Sequence, residues 1–333
     1  MSTRPDGIPS VVTSFLQSSL YTIKHHVPSA WTGHIPFMFG LMRVLRPKVY
    51  VELGVHNGAS FFAACQSVVQ ESLSTRCIAI DHWEGDPHAG IHDLDTFQAF
   101  ARTMNSHYSG FAAYIKATFD EALRHVDDAE VDLLHLDGFH TYEAVKHDFE
   151  SWVPKLSDGA VVMLHDINEY RGSFGAWRFW KELENRYPNR TLFLGNDHGL
   201  GVVFLGGNQR EEVRTLLGWL STPANTSFFQ QHFSTLSEFQ RRSITGSNRI
   251  TETLASVEKS NTDLKHTLEA TRETLATVQS VLNRPLVQKL LGLVHLLDIS
   301  AGKRRNSPRL KLARLEKDKK KVPAMAAGRS QGC

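Results

Sequence analysis

Between Val49 and Ile167 short apolar runs recur at regular intervals: VYVEL, CIAID, AAYIK, VDLLHL and AVVMLHDI. Runs this short, with little alternation, read as strands buried on both faces. Amphipathic stretches separate them. Tyr142, Val145, Phe149 and Trp152, for example, fall at helical spacing and predict the buried face of a helix. Five strands alternating with helices predict a parallel, doubly wound sheet with right-handed crossovers. The pattern changes at TLFLGNDHGLGVVFLGG, residues 191–207, where two apolar runs are joined by a short polar turn. A parallel crossover does not fit in that length, so these two must pair as an antiparallel hairpin. The expected sheet therefore has seven strands. Ahead of it, WTGHIPFMFGLMRVL (31–45) has helical apolar spacing and stops before Pro47.

The C-terminal third has a different period. Residues 211–242 read as helical, and from Ile250 apolar positions alternate steps of four and three: Ile250, Leu254, Val257, Asn261, Leu264, Leu268, Thr271, Leu275, Val278, Leu282. Such a narrow seam predicts a coiled coil, and one Asn at an a-type position favours a parallel dimer in register; the alternative is a single amphipathic helix lying on the domain. Arg284-Pro285 ends the seam. The apolar run that follows is too short to span a bilayer, and the basic run KRRNSPRLKLARLEKDKKK comes directly after it. That pairing fits docking on an anionic membrane surface or on a partner, against the alternative of a solubilising tail. The expected organisation is an N-terminal arm (1–30), an α/β domain (31–207), a helical extension (208–245), a coiled coil (246–284) and an apolar helix with a basic tail (285–333).

Charge sharpens this division. Residues 302–333 carry eleven Lys or Arg and two Asp or Glu, a local +9 that leaves −7 on the rest of a chain whose formal net charge is +2. A mildly acidic body is a poor nucleic-acid surface. Cys65, Cys77 and Cys333 have no metal-type spacing and form no even framework, which fits a reducing compartment. The first residues lack the apolar core of a signal peptide, so a cytoplasmic location is expected.

Candidate chemistry gathers where strands end. VYVELGVHNGAS runs from the first strand into a turn carrying Glu52, Gly54, Gly58 and Ser60. Glycines there let the backbone approach a ligand, and the helix that follows offers free N–H groups. Asp81, closing the second strand, is placed for ribose hydroxyls. The loop after it holds Trp83, Asp86, His88 and His92 without a recognisable ligand spacing, so contact with cofactor or substrate is favoured over a dedicated metal site. Asp137, Gly138 and His140 follow the fourth strand, and His165 and Asp166 close the fifth. Each has a plainer reading, as a cap, a loop bond or a turn brace, but acids and imidazoles converging at adjacent strand ends are what an active site requires.

Seven segments, WTGHIPF, VELGVHNGASF, IDHWEGDPHAG, DLLHLDGFHTYEAVKHDFESWVPKL, VVMLHDIN, FGAWRFWKEL and HGLGVVFLG, occur in an order that resembles class I S-adenosylmethionine-dependent methyltransferases. The similarity is to a group often encoded with glycosyltransferases for surface polysaccharides and related to metal-dependent sugar O-methyltransferases. The resemblance implies a Rossmann-like sheet and a transferase that methylates a sugar hydroxyl in glycan or polysaccharide biosynthesis. It implies that Glu52, Gly54, Gly58, Ser60, Asp81 and Asp137 bind S-adenosylmethionine, and that His140, Asp137 and Asp166 act at the transferred methyl. An alcohol acceptor needs either a base or a metal to become nucleophilic, so His140 is the expected base in one mechanism. In the other, Asp137, His165 and Asp166 hold an Mg²⁺-like ion, although an imidazole and Ile167 stand where related enzymes carry oxygen ligands. The expected partners are a glycan acceptor, a second copy through residues 250–282, and a membrane or glycan-assembly complex at the basic tail. The alternative is a catalytically inactive methyltransferase-fold adaptor. A nicotinamide oxidoreductase is disfavoured, because the turn is not G-x-G-x-x-G.

Overall fold

The structure, a computed structural model, describes residues 8–291 except 89, 92, 93, 284, 286 and 290. His92, most of the apolar run after Pro285 and the whole basic tail lie outside the described residues. The chain divides between Arg249 and Ile250 into two compact units.

In the first unit, α1 (Ser10–Ser18) and α2 (Ile35–Leu45) precede β1 (Val49–Leu53), α3 (Ala59–Gln70) and β2 (Arg76–Asp81). A small ribbon, β3 (Gly85–Asp86) with β4 (Gly90–Ile91), leads to α4 (Leu94–His107), β5 (Ala112–Lys116), the short α5 (Phe119–Ala122) and β6 (Val131–Leu136). Then come α6 (Tyr142–Trp152), β7 (Leu156–His165), α7 (Ala176–Arg186), β8 (Thr191–Leu194), β9 (Leu200–Phe204), α8 (Glu211–Leu220) and α9 (Pro223–Leu282). No helix of the described residues is long and apolar enough to cross a membrane.

The main sheet has seven strands in the order β5-β2-β1-β6-β7-β9-β8. β5, β2, β1, β6 and β7 run parallel, and β9 pairs antiparallel with both β7 and β8. The hairpin inferred from the seventeen-residue run 191–207 is therefore present, with its second strand on the inside. Apolar strands buried on both faces explain why the runs scarcely alternate: Val51 and Leu53 face one layer of helices, while Tyr50 and Glu52 face the other. The sheet order lines up five strand ends, those of β5, β2, β1, β6 and β7, along one edge. Strands about 4.8 Å apart make that edge a ruler on which the chemistry is laid out.

The expected N-terminal arm is part of the core. Phe15 of α1 is fully buried and packs its ring against Phe37 of α2 and Phe229 and Phe233 of α9. Gly40 makes this possible, since a Cβ there would lie 2.2 Å from the Phe15 ring. The helical extension is likewise two helices, with Val213, Leu216 and Phe229 in the same cluster. Aromatic contacts between segments more than two hundred residues apart carry no local period, so the chain pattern could not place them. α9 continues unbroken through the boundary expected at residue 245.

In the second unit five apolar seam side chains are exposed, Val257 51%, Leu264 65%, Leu268 53%, Leu275 55% and Val278 51%, and Leu282 is half-buried.

Truncating Phe15 leaves a cavity under three helices. Phe15→Ala is expected to lower stability by about 3–5 kcal/mol, read as a fall in the urea midpoint. An unchanged midpoint would show that the arm does not belong to the core.

Candidate functional site

One cavity of about 580 Å³ opens along the strand-end edge, within the size range of small-ligand sites. It is walled by Gly54, Val55 and His56 after β1, Asp81 and His82 at the end of β2, Thr118 to Asp120 after β5, Asp137 to His140 after β6, and His165 and Asp166 at the end of β7.

Gly54 anchors the turn after β1. Its φ is +86°, and a Cβ would lie 2.0 Å from the Asp137 carbonyl oxygen, so only glycine lets β1 and β6 close on each other here. The turn is then fixed by Asp81. One carboxylate oxygen of Asp81 accepts from the N–H groups of Val55 (2.8 Å) and His56 (2.9 Å), and the other accepts from Trp83 N–H (2.6 Å). Asp81 lines the cavity and keeps lone pairs for a further donor. Ser60 also lines it.

Two residues of the expected cofactor set sit elsewhere. Glu52 is fully buried beneath the turn, where it accepts from Ser60 Oγ (2.6 Å) and from the Tyr50 hydroxyl and lies 3.5 Å from His135 Nδ1. Strand alternation turns it away from the cavity and makes it a brace for the start of α3. Gly58 is absent from the cavity wall and supplies a left-handed bend, φ +88°, just before α3. Trp83 is also a core residue, packed on Phe97 and Phe100, with its indole N–H donated to the His56 carbonyl at 2.9 Å.

At the other end Asp137, His140 and Asp166 bring ligand-type atoms within 4.8 Å of one another. Adjacent parallel strands do this: Leu136 of β6 is in register with Leu164 of β7, so the residues just beyond them become neighbours. Asp166 has φ +58°, an uncommon left-handed conformation that costs energy at a site where position matters. Its Oδ2 lies 3.0 Å from His140 Nε2. Burial opposes charge on the His140 ring, but the Asp166 bond and the nearby Asp137 charge prevail and raise its pKa above the ordinary value.

His165 does not join this set, contrary to the sequence assignment of Asp137, His165 and Asp166 as the metal group. Both of its nitrogens are taken: Nδ1 lies 3.1 Å from Asp137 Oδ1, and Nε2 donates to the Asp197 carbonyl at 3.0 Å. An imidazole that donates on both sides is a cation, and despite burial Asp137 pushes its pKa up to about 9. In return the His165 charge overcomes burial and holds the Asp137 carboxyl well below the usual range. His34 also reaches the Asp197 carbonyl, at 3.3 Å, and burial, with the His165 charge beside it, lowers its pKa well below the ordinary value. His140 thus takes the place in the metal-type group that the sequence gave to His165. Two hard carboxylates and one imidazole suit a divalent cation.

Several wall residues lay outside the sequence reading. Ser29 and Ala30 of the arm, Glu169, Arg171 and Phe174 after β7, and His198 in the β8–β9 turn all line the cavity. Arg171 and His198 both pair with Glu169, at 2.7 and 2.9 Å. The rings of His88, Phe174 and His140 lie nearly parallel, His88 on Phe174 at 4.1 Å and Phe174 on His140 at 5.4 Å. Thr118, Phe119 and Asp120 could have been found from the strand-end rule applied to AAYIKATFD. Asp148 could have been found as the carboxylate three residues after Val145 on the apolar face of α6.

The His165 shift carries a stability signature. A folded-state pKa raised from about 6.5 to about 9 stabilises fully below about pH 6.5, and the contribution is lost as pH rises to about 9. In chelator, the urea midpoint of the wild type should fall across that window more steeply than that of His165→Gln. Parallel curves would contradict the ion pair.

Residues 51–167 match the model of a family described as a methyltransferase domain. An uncharacterized protein, y4gI, of Sinorhizobium fredii is 39% identical over 217 residues, which covers 65% of this chain and 24% of that protein. An uncharacterized protein, R132, of Acanthamoeba polyphaga mimivirus is 24% identical over 163 residues, 43% of this chain and 69% of that one. The chain thus spans about a quarter of the first relative's length. Among solved structures, a putative caffeoyl-CoA O-methyltransferase from Staphylococcus aureus aligns with TM-score 0.41 at 16% identity, over 54% of this chain and 84% of that one. The O-methyltransferase TomG from Streptomyces achromogenes, in complex with SAM, aligns with TM-score 0.40 at 14% identity, over 60% and 92%. The matched segment, residues 51–167, includes β2, β5, β6, β7 and most of β1, the strands whose ends wall the cavity, so the site lies on the part of the chain that is similar to the methyltransferase-domain model.

Proposed function

We propose that this protein is an S-adenosylmethionine-dependent methyltransferase that methylates a sugar hydroxyl in glycan assembly. The observation that carries the reading is the His140–Asp166 pair beside Asp137 in the same cavity as Asp81. The cofactor, when bound, supplies an electrophilic methyl group; every other function falls to the chain.

Asp81 and the turn after β1 hold the nucleoside. Asp166 takes the Nε2 proton of His140 in a hydrogen bond, which fixes the tautomer and leaves Nδ1 as the acceptor for the hydroxyl proton. The same acid raises the basicity of His140, as a base for a weakly acidic alcohol needs. In the alternative, metal-assisted mechanism a divalent cation would be held by Asp137, His140 and Asp166, with His140 a ligand and not the base, where it would lower the pKa of a bound hydroxyl. The parallel faces of His88, Phe174 and His140 suit the C–H face of a sugar ring, and Glu169, Arg171 and His198 offer polar partners for its hydroxyls. On this reading the enzyme is cytoplasmic and pairs with a second copy through the seam of residues 250–282, with the basic tail reaching toward a membrane or assembly complex.

With an accepted sugar substrate, His140→Ala should reduce kcat by about 10²–10⁴ while leaving cofactor affinity near wild type. The wild-type rate should rise with pH through a pKa above about 6.5, because the base acts only when neutral. A rate insensitive to His140→Ala would contradict the assignment. Loss of activity in chelator, restored by Mg²⁺, would assign the carboxylates to a metal. Light scattering of the full chain should give twice the monomer mass, and a monomer would remove the second copy.

A further inference from the structure

The loop between β7 and α7 carries an aromatic surface that the proposed reaction does not use. Tyr170 is 62% exposed, and its ring lies 5.5 Å from that of half-buried Trp177 at the start of α7. Neither residue lines the cavity, yet Tyr170 stands between Glu169 and Arg171, which both do. The polar handles of the two rings are taken within the loop. The Tyr170 hydroxyl donates to Asn168 Oδ1 at 3.2 Å, and the Trp177 indole N–H donates to the Phe174 carbonyl at 3.1 Å. The part of the pair left for a ligand is ring carbon.

The loop is firmly braced. Glu169 accepts from the Tyr170 N–H (3.0 Å) and from Arg171 Nε (2.9 Å) and Nη2 (2.7 Å), and its Oε2 lies 2.9 Å from His198 Nδ1. The Asn168 N–H donates to the His198 carbonyl at 2.7 Å, and its side-chain amide to the Gly195 carbonyl at 3.1 Å. A ring held on such a loop has little freedom left to lose when a ligand covers it.

Size, chemistry and position then name the occupant. An aromatic side chain covers about 150–250 Å², so the two together fall short of the about 800 Å² that each partner of a stable protein complex covers. The surface is suited to a small ligand. A flat apolar ring bordered by Asn168, Glu169 and Arg171 matches a sugar, which is apolar on its C–H face and carries hydroxyls around its edge. The platform also begins where the seat of the methylated sugar ends: Trp177 is bonded to Phe174, whose ring lies between those of His88 and His140.

We propose that Tyr170, backed by Trp177, stacks on a second sugar of the acceptor, so that the preferred substrate is an oligosaccharide or glycan chain and not a single sugar. This rests on the sugar O-methyltransferase reading and adds to it a subsite outside the catalytic cavity.

The test measures transfer of a labelled methyl group from S-adenosylmethionine, by the full chain, to the methyl glycosides of the common hexoses and deoxyhexoses and to disaccharides that contain each of them. A stacked aromatic contact is worth about three- to tenfold. For the sugar that is methylated, kcat/KM should therefore be about three- to tenfold higher with the disaccharide, through a lower KM. Tyr170→Ala should abolish that preference, and Tyr170→Phe, which keeps the ring, should retain it. Equal kcat/KM for single sugar and disaccharide in the wild type overturns the proposal and leaves the methyltransferase reading intact. So does a preference that survives in Tyr170→Ala or is lost in Tyr170→Phe. A wild type that methylates none of these saccharides removes the sugar reading and the subsite with it.

Discussion

The arrangement of this site depends on one buried ion pair, the Asp137 carboxylate against the His165 imidazolium. The two residues end adjacent parallel strands, so the sheet delivers them to each other, and the Asp197 carbonyl fixes the far nitrogen of the ring. A buried pair of this kind adds little net stability, but removing one partner leaves an uncompensated charge and costs about 3–5 kcal/mol. Its value lies in position. With Asp137 held to one side by His165, the free face of Asp137 turns to His140 and Asp166. The Asp197 carbonyl is itself placed by the β8–β9 turn, whose Asp197 side chain is tied to Ser237 and Arg241 of α9 at 3.0 and 2.6 Å. A helix outside the sheet thus sets the geometry at the strand ends.

This chain of dependence explains what could be read from the sequence. The alternation of strand and helix, the closing hairpin and the strand-end positions of Asp81, Asp137, His140 and Asp166 all follow from local period and length, and the structure has each of them. The division of labour between the two histidines does not. His165 is removed from metal-type chemistry by a carbonyl thirty-two residues later, in a turn where Asp197 and His198 both have positive φ. No spacing rule carries that information. Glu52 shows the same limit from the other side: its place in a glycine-rich turn suggested ligand contact, and strand alternation sent it to the opposite layer. The placement of α1 and α9 in the core rests on ring contacts across the length of the chain, which only tertiary packing supplies.

The cavity also has a chemical polarity that no single residue conveys. At the β7 side it holds an ion pair and an imidazole bonded to an acid; at the β5 side it holds an aromatic ring, a bare glycine and a carboxyl whose pKa burial pushes up to about 7. Asp81 lies between them, already bonded to three backbone N–H groups and so fixed in place before a ligand arrives. On the proposed function, a rigid, pre-bonded acid midway along the cavity suits a nucleoside whose reactive group lies at the far end of the molecule.

The measurement that tests this layout most directly is calorimetric titration of the full chain with S-adenosylmethionine and, separately, with NAD, repeated for Asp81→Ala. The account predicts binding of S-adenosylmethionine by the wild type in chelator as well as in Mg²⁺, strongly weakened in Asp81→Ala, with no saturable binding of NAD. Binding of NAD in its place, or S-adenosylmethionine affinity untouched by the loss of Asp81, would contradict it.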